Sequence, residues 1–188
     1  MSQKNKFTTK TIVFSGIAIA LAIFIATFIK LPSLPFGGSI TLLSMLIVCL
    51  VGYWYGPVVG LTAALAYGIL QFITGPYVVH PLQVVLDFPL AFGALGLSGF
   101  FHKAKHGLIK GYLVAVIGRF VVHCISGAIF YTEYVGDFGG NLAALWAGIA
   151  YNMTYIVPEA IITLLLIALP PVANALAKIK AYATDTNA

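Results

Sequence analysis

Residues 11–31 read TIVFSGIAIALAIFIATFIKL, a strongly apolar run in which Lys30 is the one charged residue. A helix needs about 20 mainly apolar residues to cross the hydrocarbon core of a bilayer, and this run has that length. It is too long for the hydrophobic core of a signal peptide and lacks a small-residue cleavage site, so we expect a retained span. This stretch alone predicts an integral membrane protein.

The rest of the chain has the same composition. Of its 188 residues, 61% are hydrophobic and 8% are charged, whereas a soluble globular domain has roughly 25% charged residues. We therefore predict an all-α integral membrane protein in which residues 1–188 form a single membrane domain with six transmembrane helices and no separate soluble catalytic domain. The spans are predicted at residues 11–31, 40–56, 57–75, 80–101, 108–131 and 142–171.

The basic residues predict the orientation of the chain. They fall in the terminal segments and in the loop after the fourth span, which share one side when the number of spans is even. The lysines on that side are Lys4, Lys6, Lys10, Lys103, Lys105, Lys110, Lys178 and Lys180. The opposite side has Lys30 with Glu133 and Asp137. By the positive-inside rule both termini are cytoplasmic, and the net charge of +5 is an orientation signal rather than a nucleic-acid-binding face.

The segment 31–39, LPSLPFGGS, separates the first two spans. Two prolines and two glycines prevent it from being helical throughout. We expect a loop that is long enough to fold over part of the molecule. No internal repeat is visible, so the sequence gives no support to an inverted-repeat transporter.

Three polar residues lie at one depth on consecutive spans. Asp87, His123 and Asn152 each lie seven to ten residues from the outer end of their predicted helix, which is about 10–15 Å below the surface. A charged residue inside a span is costly and is a functional candidate by default. His123 taken without its neighbours would favour a structural interhelical hydrogen bond over a binding role.

Aromatic residues surround these positions in sequence. They are Tyr77, Phe88, Phe130, Tyr131, Trp146, Tyr151 and Tyr155. Aromatic faces attract cations, and a carboxylate can accept hydrogen bonds from an amino-heterocycle or balance a positive ring. The combination predicts a pocket for a small, flat, nitrogen-rich or cationic molecule.

Arg119 and Glu159 lie deeper, at a shared depth below the predicted pocket. Either charge alone would be strongly destabilising there, so we predict an interhelical ion pair. A structural role and a role linked to the ligand both remain open.

The first span carries small residues at four-residue spacing: Gly16, Ala18, Ala20, Ala22 and Ala26. Rows of this kind let helices approach closely in lipid. They indicate either internal packing or a docking face for another membrane subunit.

The sequence lacks the common motifs for ATP binding, zinc binding and nucleophilic catalysis. The sequence has no Gly-x4-Gly-Lys-Ser/Thr phosphate-binding loop, no His-Glu-x2-His zinc motif and no Gly-x-Ser-x-Gly nucleophile elbow. We expect no cofactor, no metal site and no enzymatic activity. Uptake against a gradient would then need an external energy source.

Three stretches carry a family resemblance: HPLQVVLDFPLAF at 80–92, GRFVVHCISGAIF at 118–130 and AYNMTYIVPEA at 150–160. They resemble the thiamine-specific substrate-binding component (S-component) of energy-coupling factor (ECF) transporters. The resemblance extends from about residue 8 to residue 172. The resemblance implies six helices with cytoplasmic termini in a bacterial plasma membrane. It also implies capture of thiamine from outside and docking on an ECF module of one transmembrane subunit and two ATPases.

The resemblance also assigns residues. The acidic residue for the aminopyrimidine falls on Asp87, where a form of the family has glutamate, and a tryptophan that stacks on the thiazolium falls on Tyr131. Phe88 stands where the family has a tyrosine. A further tyrosine of the family's sixth span has no exact counterpart, and Trp146 or Tyr151 could take its place. The candidate substrate-binding residues are Asp87, His123, Asn152, Tyr131, Phe88, Trp146, Tyr151, Tyr77 and Phe36. Segment 31–39 would be the lid, and Gly16, Ala18, Ala20 and Ala22 the docking face.

Other functions remain open at this point. An S-component for a related solute, such as a pyrimidine precursor or a form of vitamin B6, would suit the same carboxylate and rings. A proton-coupled secondary transporter would use Asp87, His123 and Glu159 as a proton relay. An intramembrane enzyme would need a nucleophile that does not accompany Asp87 and His123.

Overall fold

The computed structural model describes residues 7–74, 78–131, 133, 136 and 140–185, and the regular secondary structure in these ranges is helical. This confirms the all-α class. The helices are α1 (Thr9–Phe28), α2 (Ser44–Tyr55), α3 (Pro57–Ile73), α4 (Pro81–Phe101), α5 (Gly107–Ile129), α6 (Gly140–Ala168) and α7 (Pro170–Thr184).

Four of the described helices, α1, α4, α5 and α6, are long and apolar enough to cross a membrane. The other two apolar helices are shorter: α2 has 12 residues and α3 has 17. At about 1.5 Å per residue, α2 is about 18 Å long, less than the hydrocarbon thickness. The two helices meet at Gly56, whose φ of +88° is a conformation that glycine adopts without strain. The number of spans stays a prediction.

Helix α4 is irregular, and its irregularity positions the site. It begins as an α-helix at Pro81–Val85, widens to a π-helical turn at Leu86–Leu90 and ends as a 3-10 helix at Ala94–Phe101. Pro89 lies inside the π-helical turn. A proline has no backbone N–H and its ring collides with the carbonyl four residues earlier, and a wider turn relieves both problems.

Glycines bring the backbones of α2, α3 and α4 into direct contact. A Cβ added to Gly60 would lie 2.6 Å from the Cα of Gly52, and one added to Gly96 would lie 2.5 Å from the Cα of Leu61. Side chains cannot occupy these positions without moving backbone. The three helices therefore form a closely packed unit, and Met45, Val48, Cys49 and Leu95 are buried beside it.

Helix α1 turns two different faces to its surroundings. Ala18 and Ala22 are 5% and 0% exposed and belong to the core, so they are excluded as docking residues. Gly16 and Ala20 lie on the exposed side, and a Cβ at Gly16 would meet no atom within 4 Å. Docking through Gly16 and Ala20 stays a prediction.

A seventh helix, α7, follows Leu169, where the predicted sixth span is interrupted before two consecutive prolines. It packs back against the C-terminal ends of α2 and α4, where the Tyr55 hydroxyl donates to the Ala183 carbonyl at 3.2 Å. The Lys180 ammonium donates to the His102 carbonyl at 2.6 Å and lies 3.6 Å from the Tyr53 ring centroid. Lys10 donates to the Asp185 carbonyl at 2.9 Å. Lys10 near the start of α1, the end of α7 and the segment after α4 thus meet at one end of the molecule.

Candidate functional site

A cavity of about 440 Å³ lies among α1, α3, α4, α5, α6 and the segment between α1 and α2. This volume is in the range of small-molecule sites. The cavity reaches Ala26 and Thr27 near the end of α1 and His123 and Gly127 near the end of α5. It therefore lies toward the ends of these helices that are far from Lys10 and α7.

Asp87 is the acidic residue of the cavity, and both of its carboxylate oxygens have partners. Oδ1 is 3.0 Å from His123 Nδ1, and Oδ2 accepts a hydrogen bond from Gln83 Nε2 at 2.9 Å. The side-chain oxygen of Gln83, Oε1, in turn accepts a hydrogen bond from the Val79 N–H at 3.0 Å. Gln83 was missed in the sequence, although its position four residues before Asp87 is a signal that could have found it.

His123 is held in one tautomer by its other neighbour. Arg119 Nε donates to His123 Nε2 at 3.3 Å. Because Nε2 accepts, the proton lies on Nδ1, which donates to Asp87. The Arg119 guanidinium also lies 4.4 Å from the centroid of the Phe92 ring. A continuous polar chain of Gln83, Asp87, His123 and Arg119 thus lines one wall of the cavity.

The predicted ion pair between Arg119 and Glu159 is wrong. Over the described ranges, the carboxylate that lies beside a basic side chain is Asp87, next to His123, whose neutral ring donates a hydrogen bond to it, and Arg119 makes no contact of this kind with Glu159. Glu159, only 2% exposed, accepts instead from the backbone N–H of Thr41 at 2.9 Å and from its hydroxyl at 3.0 Å, and lies 3.5 Å from the Met45 N–H. The carboxylate therefore caps the N-terminal end of α2 from another helix, where N–H groups lack partners.

Replacement of Glu159 is expected to destabilise the protein through Thr41. Glu159→Leu leaves the half-buried Thr41 N–H without its partner, at about 1–3 kcal/mol, while the Thr41 hydroxyl keeps its contact with the Ser44 hydroxyl at 2.6 Å. Glu159→Gln keeps one acceptor and should lower the melting temperature less. The melting temperature of detergent-purified variants measures this.

A double-mutant cycle separates the cap from an ion pair. Glu159→Gln should couple to Thr41→Val and not to Arg119→Met. Strong coupling to Arg119 and none to Thr41 would contradict the cap.

Asn152 lines the cavity, but the donor and the acceptor of its side-chain amide both form hydrogen bonds within α6. Its Nδ2 donates to the Gly148 carbonyl at 2.8 Å, and its Oδ1 accepts from the Tyr155 hydroxyl. The side chain is only 3% exposed. Asn152 therefore orients Tyr155, whose ring faces the cavity and His123.

The aromatic wall contains most of the predicted rings. Phe36, Phe88, Tyr131 and Tyr151 line the cavity, together with Phe92, Tyr67 and Tyr155. Trp146 does not, because it is 62% exposed. It precedes Gly148 by two residues, about 200° around the helix, and so faces outward. Phe130 is buried against His80 rather than in the cavity, and Tyr77 lies outside the described residues.

The segment between α1 and α2 forms a narrow loop over the cavity. The Leu31 N–H donates to the Ile40 carbonyl at 3.0 Å, and the Leu34 N–H donates to the Gly38 carbonyl at 2.7 Å. Between these pairs, Phe36 and Gly37 have φ of +63° and +93°. Phe36, Gly37 and Gly38 all line the cavity. The segment thus lies over the cavity, and its action as a lid stays a prediction.

Comparison with known proteins gives relatives along almost the whole chain. Residues 12–179 match the family model described as Thiamine transporter protein (Thia_YuaJ). The chain is 36% identical over 152 residues to thiamine transporter ThiT of Bacillus subtilis, across 73% of this chain and 77% of that protein. It is 33% identical over 79 residues to ThiT of Lacticaseibacillus paracasei, across 35% and 39%.

A solved structure supports the fold. ThiT from Listeria monocytogenes superposes with a TM-score of 0.60 at 24% identity, covering 86% of this chain and 93% of that one. At this identity, the comparison shows that the two proteins share a fold, which is the arrangement of their helices.

Proposed function

Since the chain belongs to the thiamine transporter protein family (Thia_YuaJ), we propose that it captures thiamine as the substrate-binding component of a vitamin transporter. It is a multi-pass protein of the bacterial plasma membrane and a transport protein rather than an enzyme. The observation that carries the proposal is the Asp87 carboxylate, held by His123 and Gln83 at the wall of an aromatic cavity.

The chemistry of thiamine suits this cavity. Thiamine joins an aminopyrimidine, which donates hydrogen bonds, to a positively charged thiazolium ring. Asp87 offers a negative acceptor for the aminopyrimidine, and the Tyr131 and Phe88 rings offer faces for the cation. Gln83 and His123 keep the carboxylate oriented before the ligand arrives, which lowers the ordering cost of binding.

The proposed topology has six membrane helices and both termini in the cytoplasm. Lys10 and Lys180 lie at the end of the molecule that α7 crosses, and the cavity lies toward the other end. The positive-inside rule then directs the lysine-rich end to the cytoplasm and the cavity to the outside. This orientation suits capture of an external vitamin.

We further propose that an ECF module supplies the energy. The sequence has no phosphate-binding loop for ATP, so the two ATPases and one transmembrane subunit of such a module would drive import. Gly16 and Ala20 on the exposed side of α1 leave room for close approach of another membrane helix.

Isothermal titration of the detergent-purified protein with thiamine, pyridoxine and riboflavin tests the ligand. We expect one-to-one binding of thiamine and no heat from the other two. If pyridoxine gave heat and thiamine gave none, the thiamine assignment would be wrong, and the protein would be an S-component for a related solute. In proteoliposomes without partners, thiamine accumulation driven by a pH gradient would indicate a secondary transporter instead.

A further inference from the structure

A single hydroxyl on α6 joins both sides of the lid turn. The Tyr151 hydroxyl accepts a hydrogen bond from the Gly38 N–H at 2.8 Å and donates one to the Pro35 carbonyl. These two backbone groups flank Phe36 and Gly37. The phenol therefore bridges the turn from one side to the other.

The turn has a backbone conformation that needs such support. Phe36 has φ of +63° and ψ of +15°, a left-handed conformation that is unfavourable for a residue with a Cβ. Its ring meets the Tyr151 ring edge-on with centroids 6.1 Å apart. Contacts from Tyr151 thus reach both the backbone and the side chain of the turn.

The lid backbone is seated directly on the α6 tyrosines. A Cβ added to Gly38 would lie 2.7 Å from the Tyr151 hydroxyl oxygen and 2.9 Å from the Tyr155 ring. No side chain fits between the lid and these rings. Glycine at position 38 is what allows its N–H to reach the phenol.

The hydrogen-bonding capacity of the phenol is largely used by the lid. A tyrosine hydroxyl has one proton to donate and two lone pairs that accept. The proton goes to Pro35 and one lone pair goes to Gly38. Tyr151 was predicted as a substrate-binding residue, but its polar atom is engaged with the protein.

We propose that Tyr151 is a lid-positioning residue, whose hydroxyl holds the Pro35–Gly38 turn over the cavity and sets the rate at which ligand leaves. The positioning role stands on the geometry of the turn, and its consequence for thiamine rests on the proposed function. Tyr151→Phe keeps the ring and removes both hydrogen bonds.

The first readout requires no ligand. Ser126 lines the cavity on α5 and is only 1% exposed, and the two native cysteines, Cys49 and Cys124, are buried. In a Ser126→Cys background, we expect Tyr151→Phe to raise the rate of maleimide labelling roughly tenfold, because two hydrogen bonds no longer keep the turn closed over the cavity. Tyr112→Phe removes a buried tyrosine hydroxyl outside the cavity lining and should leave the rate unchanged.

The second readout is the dissociation of radiolabelled thiamine in a chase with unlabelled ligand. We expect Tyr151→Phe to raise the dissociation rate constant roughly tenfold with little change in the association rate constant. Failure of the parent protein to bind thiamine would overturn the proposed function while the labelling result still decides the lid role. Unchanged labelling in a folded Tyr151→Phe protein would overturn that role, even if thiamine affinity fell.

Discussion

Asp87→Asn is expected to weaken thiamine binding about 10- to 150-fold. The substitution removes a charge-assisted hydrogen bond to the ligand, which is equivalent to about 1.5–3 kcal/mol. It also places an amide N–H₂ where two donors, from His123 and Gln83, now meet two carboxylate oxygens. Gln83 cannot simply turn its side-chain amide around to offer an acceptor, because its Oε1 already accepts a hydrogen bond from the Val79 N–H. Isothermal titration of the variant measures the loss.

Asp87→Glu is the matched control. It restores the negative charge with one additional methylene, so binding should return to within about tenfold of the parent. The melting temperatures of both variants show whether the fold is intact. If Asp87→Asn bound thiamine as tightly as the parent, the ligand site would lie elsewhere.

Gly96→Ala is expected to remove most of the folded protein. The new Cβ would lie 2.5 Å from Leu61 Cα, 2.6 Å from Leu61 N and 2.7 Å from the Gly60 carbonyl carbon. All three are backbone atoms, so α3 and α4 must move apart rather than repack a side chain. Such overpacking costs about 1–3 kcal/mol and more where backbone resists. Size-exclusion elution and the melting temperature in detergent measure the outcome.

The control for Gly96→Ala is Gly16→Ala. A Cβ at Gly16 meets nothing within 4 Å, and alanine is favoured over glycine in helices by about 1 kcal/mol. This variant should elute like the parent and melt at the same or a higher temperature. A Gly96→Ala protein that behaved in the same way would contradict the close contact of α3 and α4.

Depth along a helix could be predicted from the sequence, and it located the centre of the site. Counting residues from span ends placed Asp87 and His123 in one layer, and their side chains meet at 3.0 Å. The same reasoning failed for Arg119 and Glu159. Equal depth does not specify the rotation of each helix, and the cap of α2 by Glu159 depends on where an irregular loop ends.

Rotation was also the reason for the errors at Trp146 and in α1. Helix α1 is apolar on nearly every side, so its hydropathy does not separate buried Ala18 from exposed Gly16. Trp146 was grouped with its aromatic neighbours by position in the chain, while helix geometry turns it outward. In lipid, an exposed face is as apolar as a buried one, so hydropathy cannot distinguish them.

The finer parts of the site depend on tertiary contacts. Pro89 within a predicted span indicates a local irregularity but does not specify a π-helical turn, and the left-handed conformation of Phe36 has no clear signal in the sequence. Gln83 and Phe92 enter the cavity as neighbours of residues that were predicted. Helix α7 was not predicted as a separate element, because the predicted sixth span ran through Pro170 and Pro171, the two residues at which α7 begins.

A crystal structure of the protein with thiamine bound is the most direct test of the central claim. The account predicts the aminopyrimidine within hydrogen-bonding distance of the Asp87 carboxylate, the thiazolium against the Tyr131 ring, and the Pro35–Gly38 turn closed over both. Thiamine density at another surface, with the Asp87 cavity empty, would contradict it.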